Sequence, residues 1–289
     1  MSTLAVMYSL FYQFGDNFAF LVLSALGLAI IFGMMGVINL AHGEFIMCGA
    51  YVTILTAKQG VPMPVAMLLG ALIAALAGVL IERLVIRRLY DRLFDSVVAT
   101  WAISLIVQQS MLLLAGPSIE GLSTPFGSFS FGGYSFSVYR AVLPFVALVI
   151  LALLYGLFFH TNYGVAARAT MQNARMAQCA GLRTDRIYSA TFALGAGLAG
   201  LTGAIYAPTM TAVPTMGTSF IVQAFVSVVV GGANVLVGTT PAAAILGVIQ
   251  TALTSAYGQL FGQIGLLLAV ILVIRVMPQG LGHLFSRSR

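Results

Sequence analysis

Residues 141–159 read AVLPFVALVILALLYGLFF, an apolar run without a single charged side chain. A helix needs about 20 consecutive apolar residues to cross the hydrocarbon core of a bilayer, a length that this run and its flanks reach. The strands of a membrane barrel would instead alternate polar and apolar residues over segments of about 10 residues. The run therefore predicts a membrane-spanning helix, which we place at residues 140–160.

Comparable apolar runs recur along the whole chain. Nine candidate spans lie at residues 17–36, 40–57, 63–82, 96–115, 140–160, 187–207, 219–237, 240–258 and 261–277. Residues 1–14 are apolar enough to add a tenth span or an interfacial helix. Charged residues make up only 7% of the chain, against about 25% in soluble domains, which excludes a soluble enzyme, a disordered chain and a nucleic-acid-binding module. The predicted fold class is all-α, a polytopic helical membrane protein with about 8–10 transmembrane helices that form a single domain over residues 1–289.

Small residues recur every fourth position in two of these spans. They are Gly70, Ala74 and Gly78 in one span, and Gly195, Ala199 and Gly203 in the other. Membrane helices associate where small residues let their backbones approach closely. The two stripes therefore predict packing faces inside a compact bundle.

Eleven of the 13 basic residues fall into three patches between or after the spans. They are Arg83, Arg87, Arg88 and Arg92; then Arg168, Arg175, Arg183 and Arg186; and finally Arg275, Arg287 and Arg289. The positive-inside rule places all three patches, and with them the C-terminus, on the cytoplasmic side. Residues 116–139 then form an outside loop, whose mixture of aromatic residues and glycine is compatible with a short hairpin. This loop is either a plain connection or a docking surface for an outside partner.

Polar residues interrupt the apolar pattern at residues 36–44, which read GVINLAHGE. The segment places Asn39, His42 and Glu44 at membrane depth. A glutamate at the centre of a membrane helix costs about 2.5–3.5 kcal/mol, and broken backbone at that depth persists only inside protein or along a water-filled cavity. Two interpretations remain open: a cytoplasmic turn between two spans, or a broken helix that lines a translocation path.

The spacing of this segment recurs later in the chain. The pattern Gly-x2-Asn-x3-Gly of residues 36–43 is repeated at residues 231–238. Interrupted segments at matching places in two halves point to the central site of a transporter, although coincidence in a glycine-rich chain explains the match equally well. The predicted substrate path consists of five polar residues: Asn39, His42, Glu44, Gln223 and Asn234. Each amide could alternatively bond a neighbouring helix.

The chain lacks the motifs of an ATPase or a hydrolase. Its single lysine, Lys58, is followed by glutamine, so the phosphate loop G-x4-G-K-[ST] is absent, as are His-Glu-x-x-His and Gly-x-Ser-x-Gly. We therefore expect no catalytic residue, no metal site and no cofactor in this chain. Any ATP-driven step is expected on another chain.

Residues 163–182 are the most polar segment between two spans. From 165 to 180 the pattern predicts one short amphipathic helix with Arg168, Gln172 and Arg175 on its polar side, and Gly181 is suited to end it. The helix either lies on the membrane surface or docks into a groove of a partner.

Several motifs together resemble one known family. GVINLAHGEF at residues 36–45 is similar to the hallmark of the permeases of high-affinity branched-chain amino-acid and urea ABC importers, and residues 168–187, 191–203, 231–232 and 277–281 also match. The resemblance runs in the family's order from about residue 24 to 281. It departs at Asn234, where the family usually has glycine; asparagine tolerates left-handed backbone, so the turn is expected to survive.

The resemblance implies a set of partners. These are a second homologous permease subunit, two cytoplasmic ABC ATPase subunits that bind ATP–Mg, and a periplasmic solute-binding protein, assembled at a bacterial inner membrane. It also implies that residues 164–186 are the cytoplasmic coupling segment. The residues expected to contact the ATPases are Arg168, Gln172, Asn173, Arg175, Met176 and Gly181.

The expected function is therefore that of an importer permease working by alternating access. No arginine lies at the midplane of the path to pair with a carboxylate, and residues 219–232 resemble the urea branch, so urea or a short amide is favoured as the solute. A branched-chain amino acid remains the alternative, since a helix N-terminus can hold a carboxylate without arginine. Two other classes are a passive channel for small neutral solutes and an intramembrane enzyme built on His42 and Glu44.

Overall fold

The computed structural model describes residues 3–90, 92–232, 235–277 and 280–282. Its helices are α1 (Thr3–Met35), α2 (His42–Lys58), α3 (Met63–Leu84), α4 (Leu93–Ala115), α5 (Val138–His160), α6 (Asn162–Gln172), α7 (Ala174–Cys179), α8 (Thr184–Tyr206), α9 (Met216–Gly231), α10 (Val235–Tyr257) and α11 (Gln259–Val276). Short 3-10 turns, Ile86–Arg88 and Ala207–Thr209, follow α3 and α8. Each predicted span overlaps a helix, so the all-α polytopic prediction is confirmed. The span predicted at 219–237 is too long, because α9 ends at Gly231 and α10 begins at Val235.

Six of the described helices are long and apolar enough to cross a membrane. With the 3-10 turns included they are Thr3–Met35, Met63–Arg88, Leu93–Ala115, Val138–His160, Thr184–Thr209 and Gln259–Val276. Helices α2 and α9 have 17 and 16 residues, which at 1.5 Å per residue gives about 25 Å each, less than the roughly 30 Å of a hydrocarbon core. The predicted interruption near residues 36–44 is also present, because helix α1 ends at Met35 and α2 begins at His42.

The first helix differs from the prediction. Residues 1–14 were expected to form a separate span or an interfacial helix, whereas α1 runs unbroken for 33 residues through the polar residues Asp16 and Asn17. Partners in the same unit accommodate these polar side chains. Asp16 forms an ion pair with Arg140 at 3.2 Å, and Asn17 Nδ2 donates to Thr251 Oγ1 at 2.9 Å. Because both side chains have a polar partner, the helix continues where the sequence suggested a boundary.

The contacts divide the chain into two units. The first comprises residues 1–25, 123–151 and 223–289, and the second residues 26–122 and 152–222. In the first unit, strands β1 (Ser128–Phe131) and β2 (Tyr134–Ser137) pair antiparallel around Gly132 and Gly133, whose φ angles of 59° and 88° suit a two-residue hairpin turn. The ring of Tyr8 packs 5.1–6.2 Å from three phenylalanines of this hairpin.

The second unit is built on close packing of α2, α3 and α8. A Cβ added at Gly49 would lie 1.9 Å from the carbonyl oxygen of Gly200, and one at Gly203 would lie 1.8 Å from that of Ile46. A Cβ at Gly78 would meet Ala196 at 2.5 Å. The helices therefore touch backbone to backbone, and the predicted packing role of the two small-residue stripes is confirmed.

Candidate functional site

The α1–α2 break, residues 36–41, is a turn shaped by Asn39 and anchored to α4. Gly36 leaves the helix with a φ angle of 64°. Asn39 Oδ1 then accepts a hydrogen bond from the Ala41 N–H at 3.0 Å, which fixes the turn that starts α2. The Leu40 N–H donates to Thr100 Oγ1 at 3.1 Å, so α4 holds the turn in place. Asn39 is fully buried, and its Nδ2 has no hydrogen-bond partner among the described residues.

His42 begins α2 in a fully buried position between α1 and α8. Gly27 of α1 lies beside it, because a Cβ at residue 27 would be 2.9 Å from His42 Cε1 and 2.3 Å from the carbonyl oxygen of Gly195. A larger residue at position 27 would therefore displace either the imidazole or helix α8. In a solvent-facing turn the side chains of Asn39 and His42 would be exposed, whereas here both are fully buried.

Glu44 lies in the first turn of α2 with 2% of its surface exposed. Its Oε1 accepts a hydrogen bond from Ser104 Oγ of α4 at 2.8 Å. Gly217, at the start of α9, covers the carboxylate: a Cβ there would be 2.7 Å from Cδ and from both oxygens. Sequence reasoning gave no role to Ser104 or Gly217, since nothing in their local pattern connects them with residue 44.

The two later path candidates are placed differently. Gln223 lies within α9, is half-buried and belongs to the first unit, where its carbonyl oxygen accepts from Ser227 Oγ at 3.0 Å. Asn234 lies outside the described residues. Gly232 has a φ angle of 75° and so ends α9 much as Gly36 ends the first helix. The structure thus places Asn39, His42 and Glu44 in one buried segment of the second unit, and the path assignment itself stays a prediction.

The coupling segment, residues 164–186, is broken where one helix was predicted. Helices α6 and α7 are separated at Asn173, whose φ and ψ of −159° and 102° are extended. The cause is local: Asn173 Oδ1 accepts from the Met176 N–H at 3.0 Å and caps α7. Asparagine is among the preferred N-cap residues, so this signal was present in the sequence and was missed. Gly181 has a φ angle of 85° and follows the end of α7, as predicted.

Most of the predicted coupling residues form an exposed surface around this break. Gln172, Asn173, Arg175 and Met176 are exposed, with 67% of Met176 accessible. Arg168 is less exposed, and its guanidinium carbon lies 4.7 Å from the centre of the Phe159 ring, a cation–π contact that ties α6 to α5. The segment therefore presents a short helix with an exposed apolar side chain flanked by polar ones.

A buried carboxylate at the end of α3 was not anticipated. Glu82 is fully buried and accepts hydrogen bonds from Arg87 Nε at 3.3 Å, from the Tyr90 hydroxyl and from Ser189 Oγ. Burial, and then the hydrogen bond to Glu82, raises the pKa of Tyr90 above its ordinary value, so this phenol remains a neutral donor. We refer to these four residues as the Glu82 network. The sequence contained one indication of this network, namely a glutamate in an apolar helix that is followed five residues later by arginine.

Two of the three arginine patches meet beside this network. A groove of about 560 Å³ is lined by residues from both patches and from the coupling segment: Arg83, Arg87, Gln178, Leu182, Arg183, Thr184, Asp185 and Arg186. Within it, Gln178 Nε2 donates to Thr184 Oγ1 at 2.7 Å. The end of α7 is thereby joined to the start of α8.

Comparisons with known proteins cover almost the entire chain. A permease of Salmonella typhimurium, named as belonging to a high-affinity branched-chain amino acid transport system, is 30% identical over 277 residues, which is 90% of either chain. A permease of the same description from Pseudomonas aeruginosa is 27% identical over 277 residues, again 90% of each. The autoinducer 2 import system permease of Yersinia pseudotuberculosis is 31% identical over 155 residues, covering 53% of this chain and 43% of its own. No solved structure matches.

A family model described as "Branched-chain amino acid transport system / permease component" matches residues 16–277. That range contains the α1–α2 break, the coupling segment and the Glu82 network. These matches support the resemblance read from the motifs, and they lend no support to the preference for urea or a short amide as the solute. The chain belongs to the family of branched-chain amino acid transport system permease components.

Proposed function

We propose that this chain is the permease subunit of a binding-protein-dependent ABC importer whose solute is a branched-chain amino acid. The observation that carries the proposal is the family match over residues 16–277, together with relatives that align over nine tenths of their length and are named for this class of solute. The preference for urea or an amide rested on the polar residues of the path, on the absence of a midplane arginine and on the resemblance of residues 219–232 to the urea branch. Those residues do not distinguish such solutes from an amino acid.

Alternating access is the proposed mechanism, with the α1–α2 break at the solute path. Three features support this assignment: the helix is interrupted, its polar side chains are buried, and α4 bonds the segment at two places, accepting from the Leu40 N–H and donating to Glu44. Asn39, His42 and Glu44 are the polar groups that we place along the path in this unit. Gln223 and Asn234 remain further candidates for it.

The proposed connection to ATP hydrolysis runs through the coupling segment. The exposed surface of α7, centred on Met176, would dock onto an ATPase subunit. Movement of α7 would reach α8 through the hydrogen bond between Gln178 and Thr184. The Glu82 network would then transmit this movement to α3, because Ser189 of α8 donates a hydrogen bond directly to Glu82.

The partners follow from this mechanism. We propose a second homologous permease subunit, two cytoplasmic ATPase subunits that carry ATP–Mg, and a periplasmic solute-binding protein that docks on the outer loops. The chain itself would hold no cofactor. In a bacterial inner membrane, the coupling segment and the C-terminus would face the cytoplasm, in accordance with the arginine patches.

An uptake panel tests the solute and the energy source together. The chain is co-expressed with its companion subunits, reconstituted in proteoliposomes and supplied with binding protein and radiolabelled leucine, with urea and short amides as competitors. We expect uptake that requires ATP and that unlabelled leucine, but not urea, suppresses. Uptake without ATP would instead support a passive channel. Competition by urea but not by leucine would show that the solute is urea or a related amide.

A further inference from the structure

The Glu44 carboxylate is only half satisfied. Ser104 Oγ donates to Oε1, whereas the buried Oε2 accepts no hydrogen bond from any residue in the described part of the chain. With 2% of Glu44 exposed, the carboxylate is closed to bulk solvent in this conformation. An unpaired buried polar group is destabilising, and more so when it is charged. Such an oxygen is retained at a cost that a ligand could offset.

Two helix N-termini surround this carboxylate. Glu44 itself lies in the first turn of α2, and Gly217 in the first turn of α9 lies directly against its oxygens. Helix N-termini carry a partial positive charge that favours an anion, and their first amides lack partners within the helix. Burial opposes a negative charge at this place, while both helix ends favour it. The geometry suits a carboxylate that keeps one oxygen available for a cation.

No basic side chain supplies that cation within the described residues. The arginines that form ion pairs there do so with other acids, namely Glu82, Asp95 and Asp16. A branched-chain amino acid carries the missing complement, because its α-ammonium group is a positive charge with three N–H donors. A neutral amide offers donors of similar shape but no charge.

We infer that Glu44 Oε2 accepts the α-ammonium group of the transported amino acid, and that residue 217 must be glycine for α9 to border this site. The inference rests on the proposed function and assigns one specificity-determining contact to it. Hydrogen bonds between charged partners are roughly twice as strong as neutral ones. An amino acid should therefore depend on the charge of residue 44, whereas a neutral amide should need only an acceptor.

The isosteric variant Glu44→Gln tests the charge. Leucine uptake and ATP hydrolysis are measured in proteoliposomes that contain the complete complex and saturating leucine-loaded binding protein. We expect Glu44→Gln to lower the leucine transported per ATP hydrolysed by about tenfold or more, equivalent to about 1.4 kcal/mol. The matched control is Asp95→Asn, the equivalent carboxylate-to-amide exchange at a half-exposed acid on α4. Its leucine transported per ATP should stay within about twofold of the wild-type value.

The possible results distinguish failure of the inference from failure of the proposed function. If wild type and Glu44→Gln move equal amounts of leucine per ATP, the inference is overturned and the proposed function stands. A parallel loss of uptake and hydrolysis would show a structural role and would also overturn it. If the wild type carries no amino acid, the proposed function fails, and the inference fails with it.

Gly217→Ala provides a second test that leaves Glu44 in place. It sets a methyl group against the carboxylate and is expected to lower the same ratio. Gly156→Ala, where a Cβ meets nothing within 4 Å, is its control. Should Glu44→Gln fail to assemble, an unchanged ratio for Gly217→Ala would overturn the inference.

Discussion

Glu82 of α3 and Ser189 of α8 are hydrogen-bonded although 107 residues separate them in the chain. Arg87 bridges the pair, since its Nε donates to Glu82 and its NH2 group donates to Ser189 Oγ at 3.1 Å. The carboxylate is thus enclosed by donors at the ends of two candidate spans. This arrangement holds the two helix ends next to the coupling segment.

Glu82→Ala should destabilise the protein markedly. It removes the common acceptor of the partly buried Tyr90 hydroxyl and the buried Ser189 hydroxyl, which costs about 1–3 kcal/mol. We expect a lower unfolding temperature for the detergent-solubilised protein by thermal-shift assay. Asp95→Ala, which removes an exposed ion pair with Arg92, should cost at most about 1 kcal/mol. Equal losses for the two variants would contradict the structural role of the Glu82 network.

Gly49→Val should prevent normal packing of α2 against α8. A Cβ at residue 49 would lie 1.9 Å from the carbonyl oxygen of Gly200, so a helix backbone has to move. Overpacking of this kind costs about 1–3 kcal/mol or more. The measurement is the yield of monodisperse protein in gel filtration, with Gly156→Ala as the tolerated comparison. A normal yield of Gly49→Val would disprove the close approach.

Asn173→Ala should weaken the start of α7. The variant loses the cap on the Met176 N–H, which is worth about 1 kcal/mol. We expect faster hydrogen exchange over residues 174–179 and weaker coupling of ATP hydrolysis to uptake. Asn173→Asp keeps an acceptor at the cap and should behave as the wild type does. If both variants lose coupling equally, the side chain acts by contact with the partner rather than by capping.

Arg175→Ala and Arg168→Ala should uncouple hydrolysis from uptake while the complex still assembles. Arg175 is exposed on α7, so its loss should lower coupling without loosening the helix. Arg168 also stacks on Phe159, a contact worth about 0.5–1 kcal/mol, so its variant should in addition loosen α6. Co-purification with the ATPase subunits measures assembly, and uptake per ATP hydrolysed measures coupling. Unchanged transport in both variants would contradict the proposed coupling role of these two arginines.

Asp16 and Arg140 should show energetic coupling in a double-mutant cycle. Asp16→Asn alone leaves Arg140 without its carboxylate in a partly buried position. The double variant with Arg140→Gln removes both charges and should recover part of the lost stability. Thermal shifts of the wild type, the two single variants and the double variant give the coupling energy, expected at about 0.5–3 kcal/mol. Strictly additive losses would show that the pair does not act as one unit.

Much of this protein could be deduced from its sequence, because helices and their ends depend on local pattern. Continuous apolar runs fix where helices form in a membrane, whose core offers no water to satisfy the backbone. The stripe of Gly70, Ala74 and Gly78 indicated a packing face, and Gly36 indicated the break before α2. Asn173 carried an equally local signal for a cap. The break in the coupling segment was therefore predictable, although one continuous helix was expected.

Only the tertiary structure decided which distant side chains meet. Ser104 and Gly217 lie 60 and 173 positions from Glu44, and no periodicity relates them to it. The same holds for Ser189 and Glu82, and for the two arginine patches that line one groove. Sequence pattern states which residues a helix buries, but the partner of a buried charge depends on how helices cross. For that reason the sequence marked Glu44 as costly in a membrane, and the fold determined that one of its oxygens is bonded and that the other has no partner within the described ranges.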